Sequence, residues 1–138
     1  MPGIEDAFKE HVGWDKHLPD PYFVKAGQKM IDRFADCTIK GMTIAASGFY
    51  GPQGRVLRMP LAMPDMVNSF ESFRYGEWRV TNFEMEGSAL AGLAALMGHR
   101  AATICTIIAQ RIALDACTDY KPFVKKMIVM ALDKLATL

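Results

Sequence analysis

The chain has 138 residues, of which 51% are hydrophobic and 22% charged, and its formal net charge is +1. This composition excludes an intrinsically disordered chain, and the near-neutral charge argues against general nucleic-acid binding. Polar residues interrupt each apolar run before the roughly 20 residues that span a bilayer, so we expect no membrane contact. The three cysteines form no Cys-x-x-Cys pair, and the N-terminal residues lack a signal-peptide core. We therefore expect reduced thiols in a cytoplasmic protein.

Helices are predicted in five places. A short one lies before His17, where apolar residues recur every four positions: Ile4, Phe8 and Val12. Asp20 and Pro21 predict the start of a stronger helix ending near residue 35, because Asp caps free N–H groups and Pro suits the first turn. Further helices are predicted from Pro64 onward, over residues 86–97 and over residues 119–135.

Strands are predicted between these helices. Residues 38–47 are β-branched and largely apolar, and residues 78–83 form a second such run. Residues 101–109 are the strongest candidate, because they are apolar on both faces like a central strand covered on both sides. The alternation of helices and strands predicts an α/β fold with a substantially parallel sheet.

Ligands in such sheets collect at the carboxyl ends of the strands. Three loops are expected there, over residues 48–55, 83–87 and 110–117. The first loop carries Phe49, Gln53 and Arg55, an aromatic face, an amide and a guanidinium that can hold a planar heterocycle bearing carbonyls. A surface turn with an incidental Gln and Arg is the alternative. A phosphate-binding loop is excluded because the Gly-Lys-Ser/Thr ending is missing.

The second loop carries Glu84, Met85 and Glu86 at the predicted start of a helix. A carboxylate there can accept two hydrogen bonds from a vicinal diol such as ribose. A capping carboxylate beside an exposed one is an equal alternative, and a general acid/base pair is also open. The third loop begins with Gln110 and Arg111, which either serve a site or reach solvent. The three histidines show no metal-ligand spacing, so we expect no metal site.

The three loops carry sequence motifs whose order and separation resemble those of a known family. Residues 81–86 (Thr-Asn-Phe-Glu-Met-Glu) resemble the Asn-Tyr/Phe-Glu-Met-Glu signature of the uridine phosphorylase branch of the nucleoside phosphorylase family. Residues 49–55 (Phe-Tyr-Gly-Pro-Gln-Gly-Arg) resemble the uracil-binding loop of that branch. Residues 98–101 and 107–111 match the segment that follows, which usually ends in Asn-Arg.

The resemblance implies a three-layer α/β/α fold of the nucleoside phosphorylase type. It also implies a reversible pentosyl transfer, in which nucleoside and phosphate give free base and ribose 1-phosphate without a cofactor. Members of the family are homodimers or hexamers of dimers, so a homo-oligomer is expected. Exposed apolar faces would favour the same self-association.

The resemblance further assigns roles to individual residues. Arg55 and Glu86 are the implied catalytic residues: Arg55 stabilises the leaving base and Glu86 accepts from the ribose 2′- and 3′-hydroxyls. Gln53 would share the uracil contacts with Arg55. The remaining implied substrate contacts are Phe49, Glu84, Met85, Ile108, Ala109 and Arg111.

Two positions depart from the family pattern. Gln110 stands where Asn is usual, and Gly87 stands where Ser or Thr usually follows the second Glu. The purine branch carries Ser-Asp near the end of the third strand, whereas Ala109 and Gln110 provide no acid. A pyrimidine nucleoside is therefore expected, with a purine nucleoside phosphorylase or an AMP nucleosidase of the same fold as the alternative.

The phosphate-binding motifs of the family are missing from this sequence. They comprise a Gly-Asp-Pro loop and a Gly-Thr strand turn, each accompanied by an arginine. Residues 1–138 are therefore expected to be the C-terminal, nucleoside-binding half of a phosphorylase domain, with only the C-terminal half of the mixed sheet, and to be inactive alone. The alternative is a non-catalytic nucleoside-binding or interaction module.

Overall fold

A small mixed sheet lies at the centre of the computed structural model, which describes residues 3–137. Its strands are β1 (Met42–Ala45), β2 (Arg74–Tyr75) and β3 (Trp78–Glu84), in the order β1-β3-β2. Strand β1 runs parallel to β3, whereas β2 pairs antiparallel with it. A separate hairpin consists of β4 (Ala109–Gln110) and β5 (Asp115–Ala116). The arrangement confirms an α/β fold.

Five α-helices surround these strands within residues 3–137: α1 (Ile4–Val12), α2 (Gln28–Arg33), α3 (Met66–Ser72), α4 (Gly87–Leu96) and α5 (Lys121–Ala136). All except α2 confirm predicted helices. Gly98, just beyond α4, has a φ of 75°, the left-handed conformation that ends helices and favours glycine. In the described part of the chain, no helix has the combined length and apolar character needed to cross a membrane.

The core lies between α1, α3 and the sheet. The apolar residues of α1 that recur every four positions are all buried, which is why this short segment is helical. The Phe8 ring is 5.1 Å from that of Phe73 and 5.3 Å from that of Phe70, measured between centroids. Together with Met42, Met63 and Met66 these side chains form one apolar cluster. This apolar cluster packs against β1 and β3.

The predicted helix from Asp20 to residue 35 is wrong in its first half, because helix α2 begins only at Gln28. The preceding backbone donors serve tertiary contacts instead. The Phe23 N–H donates to Glu5 Oε1 at 3.2 Å, and the Gly27 N–H donates to the Ala101 carbonyl at 2.8 Å. These long-range bonds replace the helical ones, so the local capping signal is overridden.

The predicted strand over residues 101–109 is also largely wrong. Only Ala109 belongs to a ladder, as part of β4. Residues 101–108 form no ladder with another strand of residues 3–137, and a β-strand exists only through hydrogen bonds to a neighbour. Two of their carbonyls accept isolated bonds, Ala101 from Gly27 and Ile108 from Cys117. The strand predicted over residues 38–47 likewise shrinks to the four residues of β1.

Strand β3 carries one extra residue relative to β1. Met42 pairs with Val80, but the next residue, Thr43, pairs with Asn82, so Thr81 is bulged. The Thr81 hydroxyl donates to the Met42 carbonyl at 3.3 Å. A Cβ at Gly41 would collide with the Thr81 side chain, which explains a residue without a side chain there. After the bulge Phe83 packs on the core, and its neighbours Asn82 and Glu84 turn to the other face.

Candidate functional site

The carboxyl ends of β1 and β3 lie side by side. Ala45 is paired with Glu84, and the Ala46 N–H donates to the Glu84 carbonyl at 2.8 Å. The loops that follow the two strands therefore start at one edge of the sheet, as the parallel arrangement predicts. This edge brings together the residues predicted from two of the three loops. The third loop reaches it through Arg111.

Gln53 is the centre of the first group of residues at this edge. It ends the 3₁₀ turn Gly51–Gln53 and is only 5% exposed. Its Oε1 accepts hydrogen bonds from Arg55 Nη1 at 3.0 Å and from Arg111 Nη2. We call Gln53, Arg55 and Arg111 the Gln53 cluster. It joins residues 58 positions apart in the chain.

Each arginine of the cluster also lies against an aromatic ring. The guanidinium carbon of Arg55 is 3.7 Å from the centroid of Phe49, and Arg55 also donates to the Phe49 carbonyl. The guanidinium carbon of Arg111 is 5.0 Å from the centroid of Phe83. A cation over an aromatic face is held by the ring quadrupole, so both guanidiniums are fixed in direction. Phe49 itself is 51% exposed, which leaves ring surface open to a ligand.

The Gln53 cluster has a positive charge that pairs with no carboxylate of the described residues. Neither arginine forms an ion pair with another residue of the 3–137 range. Partial burial lowers the pKa of Arg111, and the positive charge of Arg55 lowers it further. Two guanidiniums sharing a neutral amide acceptor form a site for carbonyl oxygens or for a delocalised anion.

The Glu84 side chain folds back onto the start of α4 and caps backbone N–H groups there. Its Oε2 accepts from the backbone N–H of Glu86 at 2.8 Å and from that of Gly87 at 2.6 Å. Its Oε1 is buried and has no hydrogen-bond partner within residues 3–137. This is the capping carboxylate that the sequence left open as an alternative for the Glu-Met-Glu run.

Glu86 is the exposed carboxylate of that run. It is the residue immediately before α4, and only its backbone takes part in the hydrogen bonds found among residues 3–137, including a 3.0 Å bond from the Leu90 N–H. Met85, between the two glutamates, is 40% exposed. At this edge the Glu84 carboxylate is therefore bound to the helix backbone, whereas the Glu86 carboxylate is free among the described residues.

The predicted walls of the site are more open than expected. Ile108 is 40% exposed, and Ala109 and Gln110 are exposed on β4, the strand immediately before Arg111 in the hairpin. The hairpin is closed by the bond from the Cys117 N–H to the Ile108 carbonyl at 2.8 Å. Its contribution to the site is therefore the placement of Arg111.

Sequence reasoning missed several residues behind the glutamates. Phe83 belongs to the glutamate motif without a predicted role of its own, yet the Arg111 guanidinium lies over its ring. Partial desolvation raises the pKa of the Cys105 thiol, the Glu84 carboxylate raises it further, and the Asn82 side chain lowers it in part. No sequence signal marks these contacts, because they depend on the bulge in β3. Within the described residues no group of His, Cys, Asp and Glu side chains could hold a metal ion.

The chain is similar to known proteins in both sequence and structure. The family model of the phosphorylase superfamily matches residues 4–135. A uridine phosphorylase of Thermococcus kodakarensis is 36% identical over 78 residues, which cover 52% of this chain and 25% of that protein.

A crystal structure of a Trypanosoma brucei nucleoside phosphorylase, described as showing uridine phosphorylase activity, superposes with a TM-score of 0.87 at 25% identity. The match covers 98% of this chain and 49% of that one, so the chain spans about half the length of the solved relative. It confirms the expected α/β fold with a mixed sheet of the nucleoside phosphorylase type.

Proposed function

Because this chain belongs to the phosphorylase superfamily, we propose that it supplies the base and ribose contacts of a uridine phosphorylase-like enzyme. The reaction is the transfer of a pentosyl group from a pyrimidine nucleoside to phosphate, giving free base and ribose 1-phosphate with no cofactor. The observation that carries the proposal is the Gln53 cluster, which lies at the same sheet edge as the free Glu86 carboxylate.

The Gln53 cluster suits a departing uracil. Cleavage of the glycosidic bond leaves negative charge delocalised over the ring and its carbonyl oxygens. Arg55 and Arg111 are already desolvated in part and held over aromatic rings, so little reorganisation is needed when that charge develops. Gln53 is neutral and therefore holds the two cations without cancelling their charge. The exposed ring of Phe49 offers a face for the base.

Glu86 suits the ribose. A carboxylate can accept one hydrogen bond on each oxygen, which matches two vicinal hydroxyls. Its position at the N-terminus of α4 places the anion in the favourable end of the helix dipole. Met85, which is 40% exposed, adds an apolar contact for the sugar. Ile108 and Ala109 complete the proposed base side, in front of Arg111.

We further propose that this chain alone does not perform phosphorolysis. Its sequence contains neither a Gly-Asp-Pro loop nor a Gly-Thr turn, the motifs with which the family holds phosphate. In this proposal phosphate is a co-substrate of the whole enzyme, and the nucleoside is the ligand that this chain recognises. Phosphate-dependent release of uracil from uridine by the purified 138-residue chain would overturn the statement.

Self-association is part of the same proposal. Helix α4 has large apolar side chains with high exposure: Leu90 at 54%, Leu93 at 60% and Leu96 at 86%. Exposed apolar patches of this kind mark association surfaces. A homo-oligomer is expected, and light scattering after size exclusion measures its mass. A strictly monomeric, soluble chain would contradict it.

Calorimetry with uridine, uracil and inosine tests the nucleoside contacts. Arg55→Ala should weaken uridine and uracil alike, by about tenfold for a lost hydrogen bond from a charged donor. Glu86→Ala should weaken uridine and leave uracil unchanged, because uracil has no ribose. Arg58→Ala and Glu77→Ala, which change exposed residues of the same types, are the matched controls.

The relative affinities for uridine and inosine decide between the proposed site and its alternatives. Unchanged uridine affinity in Arg55→Ala would refute the base site. Tighter binding of inosine than of uridine would favour the purine branch instead. Hydrolysis of AMP by an enzyme containing this chain would favour the nucleosidase.

A further inference from the structure

The Glu84 carboxylate lies beside the proposed ribose contact but is not open to a sugar. Its Oε2 is occupied by the N–H groups of Glu86 and Gly87, at 2.8 Å and 2.6 Å. Its Oε1 is buried, with no hydrogen-bond partner in the part of the chain that the structure describes. Neither oxygen is therefore free for the substrate contact that the family resemblance implied for this residue.

Gly87 makes room for this carboxylate. A Cβ at position 87 would lie 2.9 Å from Glu84 Oε1 and 2.7 Å from Thr103 Oγ1, both shorter than van der Waals contact. A side chain at position 87 would therefore displace the carboxylate or the threonine. The close approach of Glu84 and Thr103 thus gives a packing explanation for a glycine at the first position of α4.

Glu86 has no side-chain partner of its own among the described contacts, so its direction depends on its backbone. The Glu86 N–H is one of the two donors that Glu84 holds. A charged acceptor forms a strong hydrogen bond with a backbone N–H at a helix N-terminus. Without that bond, the turn at Met85 would have to become ordered whenever a ligand bound, and ordering costs affinity.

From these contacts we infer that Glu84 and Gly87 form a positioning pair, which holds the turn at Met85 so that the Glu86 carboxylate faces a vicinal diol. The inference rests on the proposed function, because it takes Glu86 as the ribose contact. Glu84 is then a positioning residue, which acts on ribose recognition through the backbone of Glu86 and does not touch the substrate.

The test compares uridine with 2′,3′-dideoxyuridine, which lacks the diol, by calorimetry on the 138-residue chain. Glu84→Ala should reduce the affinity ratio of the two nucleosides about tenfold, the value of a charge-assisted hydrogen bond. Glu84→Gln keeps a carbonyl oxygen for both N–H groups and should keep the ratio within about twofold. Affinity for the dideoxynucleoside should stay the same in every variant.

The pairing with Gly87 gives a second, independent criterion. Gly87→Ala should lower the same ratio, since it displaces the carboxylate. In the Glu84→Ala background it should lower the ratio no further, because the displaced group is already gone. Additive losses would show that the two positions act separately and would overturn the pair.

Amide hydrogen exchange measured by NMR checks the cap without a ligand. Glu84→Ala should speed exchange at the Glu86 and Gly87 amides and leave the interior of α4 unchanged. Unchanged exchange at these two amides would overturn the inference.

Failure of the inference and failure of the proposed function give different results. Equal binding of the two nucleosides by the unaltered chain would refute the ribose contact itself. Discrimination that survives in both Glu84→Ala and Gly87→Ala would refute only the positioning pair.

Discussion

Replacing Gln53 by methionine removes the acceptor shared by the two arginines while leaving the size of the side chain almost unchanged. Gln53 is 5% exposed, so water cannot easily take the place of its Oε1. Arg55 and Arg111 would be left close together without their common partner. Gln53→Met should therefore destabilise the fold as well as the site.

The magnitude follows from the two bonds that are lost. A hydrogen bond from a charged donor contributes about 1.5–3 kcal/mol, and the lower value applies because both arginines are only partly buried. Two such bonds give a loss of about 3 kcal/mol in the free energy of unfolding. For a chain of this size each kcal/mol lowers Tm by about 2–4 °C, so Tm should fall by about 6–12 °C.

Urea denaturation followed by circular dichroism measures this loss. Gln53→Glu is the matched variant, because it keeps the acceptor and adds a negative charge between the two cations. It should unfold at a higher urea concentration than Gln53→Met. A free energy of unfolding for Gln53→Met within about 0.5 kcal/mol of the original chain, the range of ordinary surface changes, would refute the shared hydrogen bonds.

Two further predictions concern the core and the residues behind Glu84. Phe73→Ala should cost about 3–5 kcal/mol in unfolding free energy, because Phe73 is 2% exposed. Phe123→Ala, at a residue 58% exposed, should cost under about 0.5 kcal/mol in the same urea titration. Glu84→Gln should speed alkylation of Cys105 by iodoacetamide near pH 7.5. The glutamate charge raises the pKa of that thiol, so its removal increases the thiolate fraction. Cys37, whose pKa is raised by burial and by Asp36, should react at an unchanged rate, and equal acceleration of both thiols would point to general loosening.

Local signals in the sequence predicted the helices well. The periodic apolar residues of α1, the helix after Pro64 and the helix ended by Gly98 all depend on near neighbours in the chain. The strand predicted over residues 101–109 was wrong because a ladder depends on a neighbouring strand, which no local pattern specifies. The helix at Asp20 was wrong in its first half for the same reason, since distant acceptors took its backbone donors.

The site was predictable at the level of which residues meet, and less so in what each one does. Gln53 follows a predicted strand of the sheet, whereas Arg111 reaches it from the turn of a separate hairpin and not from the end of the predicted third strand. The sequence does not specify which of Glu84 and Glu86 caps the helix and which is exposed. Only the structure shows that the Glu84 carboxylate folds back onto the helix. The contact of Arg111 with Phe83 could not be derived, since it requires the actual direction of that ring.

The extra residue in β3 changes which side chains of the strand face the core, from the even-numbered residues before it to the odd-numbered residues after it. Upstream of Thr81, residues with even numbers face the core, as Trp78 and Val80 do; downstream the odd-numbered Phe83 faces it. Deleting Thr81 would restore strict alternation with Phe83 still inside and Glu84 still outside, whereas a ladder that kept Thr81 without the bulge would turn Glu84 into the apolar interior. The orientation of the glutamate motif thus depends on the bulge, and losing the bulge with every residue kept would change the site without altering a single site residue.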